Sequence, residues 1–299
     1  MIVFHHNDAD GRCAAAIVRK WAFATIPDQI DPIIPSHEGR LLFIEMGYGK
    51  PCPLDKILPT ETVVIVDYAF TPDVMSQIVD RAARVVWCDH HATAKAYGYD
   101  VSGFCDFSDK GLSGCECTWR YFFPDRNIPD TVQLLGDYDA WRLQQQPVCF
   151  EYYEGLKLFS TSPESVTWFR LLDDDKPMAH KFMSEIIMLG AAAIKYRDNY
   201  CHDIQQSYGY ETEIDGIKAY AMNIYRFGSQ GFGKLFKLYS VCISYIHDGE
   251  KFVVSLYSDG IVDVSAIAKK HGGGGHKGAA GFVCSTLPWT KANVSQKVL

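Results

Sequence analysis

Short runs of β-branched and other apolar residues alternate with amphipathic segments in the first half of the chain, and this alternation restricts the fold most strongly. The apolar runs lie at 1–4, 41–45, 62–66 and 84–88. Apolar residues at helical spacing follow the first run over 12–21 and the third over 74–83. Strands that alternate with helices are typical of βαβ units. The sequence therefore predicts an α/β fold with a mainly parallel sheet flanked by helices.

The second half of the chain has a different pattern. Apolar residues at helical spacing continue over 183–206, which predicts one long helix. Short β-rich runs predominate after it and lead to a glycine run at 272–275. We therefore predict three parts: a larger domain over 1–185, a connecting helix over 186–206, and a smaller mixed α/β domain over 207–299.

Charge and hydropathy exclude several classes of protein. The 29 basic and 36 acidic residues of the 299-residue chain give a net charge of −7, which disfavours binding to long duplex nucleic acid. Apolar stretches fall well short of the roughly 18–20 residues that cross a membrane. The first apolar run stops at His5, so no secretory signal of the usual kind is predicted. We expect a cytoplasmic protein without a membrane partner.

Acidic and imidazole side chains follow the predicted strands at the points where the strands end. They are His6, Asp8 and Asp10 after the first run, Asp67 after the third, Asp89, His90 and His91 after the fourth, and Asp137 and Asp139 further along the chain. Because ligands collect at the carboxyl ends of parallel strands, we expect these groups to converge. Four or more carboxylates in one cleft repel each other unless cations lie among them. Oxygen and imidazole ligands favour manganese, magnesium or iron over zinc.

Two divalent ions offset about four carboxylate charges, and ions about 3.5–4 Å apart can activate a water for attack at phosphorus. This chemistry predicts hydrolysis of a phosphoester or a phosphoanhydride. Each motif also has an ordinary structural alternative: an Asp-x-Asp-Gly turn often caps a helix, and Asp137 or Asp139 could cap a helix or pair with Arg142. Their occurrence together in one chain favours the metal site.

Four ordered motifs resemble those of the DHH phosphoesterase superfamily. They are HNDADG at 6–11, the aspartate of VVIVDY at 67, CDHH at 88–91, and GDYDAW at 136–141. A fifth segment, 262–282, resembles the glycine-rich signature of the DHH-associated domain. The superfamily includes RecJ-like exonucleases, phosphodiesterases of short oligonucleotides and cyclic dinucleotides, and exopolyphosphatases.

The resemblance implies a dinuclear manganese site, with Mg²⁺ as the alternative ion, in which Asp67 bridges the ions. The further ligands that it implies are His6, Asp8, Asp10, His90 and Asp137. His5 competes with His6 for its position, and Asp139 is expected behind the ligands. The two catalytic residues that it implies are Asp89, which orients an imidazole, and His91, which faces the substrate phosphate.

The glycine-rich segment is expected to bind the far end of the substrate. Residues without a Cβ can approach an anion closely and present a nest of N–H groups. The predicted substrate-binding residues are Gly273, Gly274, Gly275, His276, Lys277 and Tyr257. Tyr257 stands where many relatives have an arginine; it cannot make a bidentate phosphate contact, but it could stack on a base.

These residues predict an enzyme, a manganese-dependent phosphodiesterase of the nuclease type. We expect it to hydrolyse short oligonucleotides, or linear or cyclic dinucleotides, through two-metal activation of a bridging water. The alternatives are an exopolyphosphatase or pyrophosphatase with polyphosphate as its partner, and a catalytically silent nucleotide sensor. The sequence does not show whether RNA or DNA is the substrate, whether cleavage is exo or endo, or from which end it proceeds. It also leaves the oligomeric state open, and a homodimer is one possibility.

Overall fold

The computed structural model describes residues 1–25, 41–47, 49–173 and 177–291. The chain forms two compact units, Met1–Ala193 and Ile194–Leu299. The division falls inside the helix Pro177–Tyr208, which spans the segment predicted to connect the domains. The predicted bounds at 185 and 206 stay predictions, and the end of the predicted second domain, 292–299, lies outside the described residues.

A sheet of five parallel strands forms the centre of the first unit. The strands are β1 (Ile2–His6), β2 (Leu42–Met46), β3 (Thr62–Val66), β4 (Arg84–Asp89) and β5 (Ser102–Cys105), in the order β2-β1-β3-β4-β5. The four predicted runs are all strands. The edge strand β5 was not predicted because its sequence, SGFC, is mostly exposed and has no apolar run.

In the described part of the first unit, seven helices surround this sheet or follow it. They are α1 (Ala9–Thr25), α2 (Pro72–Arg81), α3 (Gly114–Phe122), α4 (Asp130–Asp139), α5 (Val148–Leu156), α6 (Val166–Leu171) and α7 (Pro177–Tyr208), with short 3₁₀-helices at Leu54–Lys56 and Ala92–Tyr97. Alternate strand residues face opposite sides of a sheet. Val3 and Val64 accordingly pack on the side of α1, whereas Phe4 and Ile65 pack on the side of α2.

The second unit contains a mixed sheet covered by one helix. Its elements are β6 (Tyr210–Ile214), β7 (Ile217–Asn223), a 3₁₀-helix (Gly228–Lys237), β8 (Val241–His247), β9 (Phe252–Tyr257), α8 (Val264–Lys270), β10 (Gly274–His276) and β11 (Ala279–Cys284). The order is β10-β11-β9-β8-β7-β6, with only the β7–β8 pair parallel among the described strands. The predicted fold class is confirmed.

The strand order positions the candidate site. The chain runs from β1 through α1 to β2 on one side of β1, and then returns to β3 on the other side. This reversal separates the loops after β1 and β3 and opens a crevice at the carboxyl edge of the sheet. The predicted acidic and imidazole residues follow β1, β3 and β4, three neighbouring strands. In the described part of the chain, none of the helices combines the length and apolarity of a membrane span.

Candidate metal centre

Asp67 lies at the middle of the crevice, directly after β3. The residue is 1% exposed. Its Oδ2 lies 3.7 Å from His6 Nδ1, and its Oδ1 lies 3.2 Å from His90 Nε2. Neither contact has hydrogen-bond geometry, and no residue in the described ranges donates a hydrogen bond to either carboxylate oxygen. A buried carboxylate without donors is costly, so the lone pairs of Asp67 suit a cation.

Three groups of side chains around Asp67 have the spacing of metal ligands. They are His6, Asp8 and Asp67; Asp67, His90 and His91; and Asp10, His90 and Asp139. Within each group the candidate ligand atoms lie within 4.8 Å of one another. Asp67 and His90 each belong to two of these groups, so the three groups form one continuous centre. Carboxylate oxygens with imidazole nitrogens fit the divalent ions that the sequence predicts.

The carboxylates of this centre oppose one another's ionisation. Burial raises the pKa of Asp67 well above its usual value, and the charges of Asp10 and Asp8 raise it further. Burial and the same two neighbours raise the pKa of Asp139. Burial acts in the same direction at Asp8, but the imidazole of His6, whose Nδ1 lies 2.6 Å from the Asp8 carboxylate, and a backbone N–H lower the pKa of that carboxyl overall. Divalent cations would offset this concentrated negative charge.

Asp10 is held by the N-terminus of α3. Its Oδ1 accepts hydrogen bonds from Ser113 Oγ at 2.9 Å and Cys115 N at 3.1 Å, and its Oδ2 accepts one from Gly114 N at 2.7 Å. The backbone amides at a helix start favour a negative charge there. These hydrogen bonds fix the orientation of Asp10. One of its carboxylate oxygens lies within 4.8 Å of the candidate ligand atoms of His90 and Asp139.

Gly114 allows α3 to approach Asp67 closely. A Cβ on Gly114 would lie 2.4 Å from the Cβ of Asp67, closer than two such atoms can come. Any other residue at this position would displace the aspartate or the helix. In the sequence, Ser113 and Gly114 indicate a helix N-terminus whose amides either cap the helix or meet an anion, but nothing there signals the close approach to Asp67.

Asp89 orients the second histidine of the CDHH motif. It is fully buried, and its Oδ1 accepts hydrogen bonds from His91 Nδ1 at 2.7 Å and from the His90 backbone N–H at 2.8 Å. Burial alone would lower the pKa of His91, but the bond to Asp89 and the nearby carboxylates raise it overall. The imidazole that Asp89 contacts is therefore that of His91. The contact of His91 with a substrate phosphate stays a prediction.

The two aspartates of the fourth motif have different surroundings. The oxygens of Asp137, predicted as a metal ligand, accept hydrogen bonds from the backbone N–H groups of Gln144 at 3.0 Å and Gln145 at 2.8 Å. Asp137 belongs to none of the three groups, and its ligand role stays a prediction. Asp139, expected behind the ligands, lies in the third group, with its Oδ2 3.3 Å from His90 Nε2. Helix positions two apart point about 200° away from each other, so only one of these aspartates can face the crevice.

His5 also lies apart from the centre, unlike its competitor His6. Its Nδ1 lies 2.8 Å from the carbonyl oxygen of His6, and the residue belongs to none of the three ligand groups. Consecutive strand residues point to opposite faces, so β1 can direct only one of its two final histidines to Asp67. The structure places His6 beside Asp67, and its binding of an ion stays a prediction.

An ion pair joins α3, whose N-terminus holds Asp10, to the end of α4, which carries Asp139. Arg142 follows α4, and its Nη1 and Nη2 lie 2.9 Å and 3.0 Å from the two carboxylate oxygens of Glu116 on α3. Glu116 is buried and also accepts a hydrogen bond from Ser113 N at 2.9 Å. The pair thus fixes the end of α4 against the N-terminus of α3.

Replacing Arg142 by Met should destabilise the metal-free protein by about 3 kcal/mol, since the substitution leaves Glu116 buried without its partner. The free energy of unfolding in urea measures this change, and the affinity for Mn²⁺ should fall with it. The control is Arg120→Met: Arg120 is exposed on α3, and no residue of the described ranges forms an ion pair with it. Equal unfolding midpoints for the two variants would show that the ion pair of Arg142 with Glu116 does not stabilise the contact between α3 and α4.

The predicted substrate-binding residues come together within the second unit. Gly274 to His276 form β10, whose neighbour β11 pairs with β9, and Tyr257 at the end of β9 lies opposite Ala279. Gly275 has a φ of +140°, a conformation that favours glycine. His276 and Lys277 are exposed beside it.

The fold and the centre define a class: an α/β protein with a buried carboxylate and imidazole site at the carboxyl edge of a parallel sheet. Residues 1–135 match the family model of the DHH family, N-terminal domain. The match spans the first three of the four motifs and ends just before the fourth, and the resemblance to the DHH family is confirmed. The match and the acid–histidine centre indicate a metal-dependent phosphoesterase.

Known proteins resemble the chain over nearly its whole length. Protein R106 of Acanthamoeba polyphaga mimivirus is 25% identical over 321 residues, which cover 98% of this chain and 70% of the viral protein. The pGpG-specific phosphodiesterase PggH of Vibrio cholerae has a TM-score of 0.52 at 14% identity, with 95% of this chain and 92% of PggH covered. A structure of exonuclease RecJ bound to manganese has a TM-score of 0.54 at 14% identity, with 95% and 85% covered. The two structures share the fold of this chain.

Proposed function

We propose that the protein is a phosphodiesterase that binds two divalent ions, Mn²⁺ or Mg²⁺, around Asp67 and hydrolyses short oligonucleotides or dinucleotides. One observation carries the proposal: the buried carboxylate of Asp67 accepts no hydrogen bond from the described residues and belongs to two ligand groups. The names of the structural neighbours support the reaction class, since one is a pGpG-specific phosphodiesterase and the other an exonuclease bound to manganese.

The ligand groups suggest how the ions would be held. His6, Asp8 and Asp67 would hold one ion, and Asp10, His90 and Asp139 would hold the second. When bound, such ions polarise phosphoryl oxygens and supply a water of lowered pKa.

The remaining groups of the crevice would handle charge and protons. His91 is fixed by Asp89 through its Nδ1, so its other ring nitrogen would contact a phosphate oxygen or the leaving oxygen. In the second unit, the exposed His276 and Lys277 and the adjacent glycine backbone suit a phosphate-containing ligand by their chemistry.

A substrate panel with controlled metal content tests this proposal. Protein stripped by a chelator should not hydrolyse a linear dinucleotide, and addition of Mn²⁺ or Mg²⁺ should restore turnover. The panel also includes a cyclic dinucleotide, a long single strand and a short polyphosphate. Activity in excess chelator would contradict the metal centre, and exclusive activity on polyphosphate would establish the exopolyphosphatase alternative.

A further inference from the structure

Four aromatic side chains pack together at the end of α4, beside Asp139. Tyr138 stacks on Tyr153 with ring centroids 3.8 Å apart. The ring of Trp141 meets Tyr138 edge-on at 5.8 Å and Phe150 edge-on at 6.0 Å. Such edge-to-face contacts hold an aromatic ring in a defined orientation. Trp141 therefore has a supported position in the first unit.

Trp141 differs from the rest of this cluster because its side chain is 53% exposed. Its backbone has a φ of +52°, an uncommon conformation for a bulky residue. The local hydrogen bonds maintain it, since the carbonyl oxygen of Asp137 accepts the N–H groups of Arg142 and Leu143, each at 3.1 Å. A costly backbone conformation that exposes a large aromatic ring occurs more often at functional sites than elsewhere.

The cluster adjoins the metal centre directly. Asp139, whose carboxylate lies 3.3 Å from His90 Nε2, is two residues before Trp141 and next to Tyr138. Tyr138 in turn stacks on Tyr153, so the cluster is anchored on the residue directly before Asp139. Trp141 thus lies two positions after a member of the third ligand group, and the ring on which it packs, Tyr138, directly precedes that member.

We propose that Trp141 determines substrate specificity by stacking on a nucleobase next to the phosphate that is cleaved. This inference rests on the proposed function and names its substrate class as nucleotides with bases, because every base offers a π-face to an aromatic ring. A supported, exposed indole gives this contact at little cost in conformational entropy. Polyphosphate has no group that Trp141 could recognise.

The experiment compares a dinucleotide with its abasic analogue, in which both bases are replaced by hydrogen. For the wild-type holoenzyme, the KM of the abasic analogue should be about tenfold higher than that of the dinucleotide. Trp141→Ala should raise the KM of the dinucleotide by about the same factor and leave the KM of the abasic analogue unchanged. Trp141→Phe should keep most of the difference in KM between the dinucleotide and its abasic analogue. Both variants retain a Cβ, so they make the same demand on the backbone at φ +52°.

Phe169→Ala is the matched control. Phe169 is 70% exposed on α6 and lines a separate cavity with Arg19 and Phe23, so its loss should change neither KM. Equal wild-type KM values for the two substrates would overturn the role of Trp141 and leave the proposed function intact. Equal rises for both substrates in Trp141→Ala would also overturn it, since that pattern indicates a disturbed metal centre. Failure of the wild type to cleave any phosphodiester would overturn the proposed function itself.

Discussion

Asp67→Asn should lower the rate of phosphodiester hydrolysis by about a thousandfold or more, because the substitution removes the carboxylate shared by two ligand groups. Asparagine is the appropriate replacement for two reasons. It has the same shape, and it tolerates the φ of +53° found at Asp67 better than most residues. A large loss would therefore report the charge and not a backbone rearrangement. The measurement is the rate on a dinucleotide at saturating Mn²⁺.

The same variant should behave in the opposite way without metal. The pKa of Asp67 is raised because the folded state buries its carboxylate among others, so a neutral amide should raise the melting temperature of the metal-free protein. The wild type should gain melting temperature when Mn²⁺ binds, whereas the variant should gain little. Asp80→Asn, at an exposed position on α2, should change none of these quantities. Full activity of Asp67→Asn would refute the central role of Asp67.

The sequence predicted the first sheet well because its central strands are buried on both faces. The run 62–66 coincides with β3, and its apolar residues are continuous for that reason. The convergence of groups after β1, β3 and β4 follows from the parallel topology alone. Strand β5 lacked such a signal because it is an exposed edge strand, and its Gly103 lies where a Cβ would be 1.7 Å from the Trp87 carbonyl oxygen.

The details of the centre depend on packing that motif spacing does not encode. Gly114 matters because α3 touches Asp67 across a separation of 47 positions in the sequence, and Arg142 matters because its partner Glu116 lies on a different helix. The choice between Asp137 and Asp139 depends on the rotation of α4 about its axis. The apolar pattern of GDYDAW does not fix that rotation, since Tyr138 lies next to both aspartates.

Asp139→Asn and Asp137→Asn should separate metal binding from folding. In Asp139→Asn we expect the affinity for Mn²⁺ to fall about a hundredfold, together with activity, because a carboxylate near Asp10 and His90 is lost. Stability without metal should hold or rise, since burial and the neighbouring carboxylates raise the pKa of Asp139. Calorimetric titration with Mn²⁺ and urea unfolding of the metal-free protein measure the two effects.

Asp137→Asn should give the reverse pattern. Its carboxylate accepts the N–H groups of Gln144 and Gln145, and an amide has only one acceptor oxygen, so we expect a loss of about 1.5–3 kcal/mol in unfolding free energy. Mn²⁺ affinity should change little in the folded fraction. Because the two aspartates are two residues apart on one helix, each variant is the control for the other. A stable Asp137→Asn protein that no longer binds Mn²⁺ would support the predicted ligand role of Asp137 and require α4 to rotate.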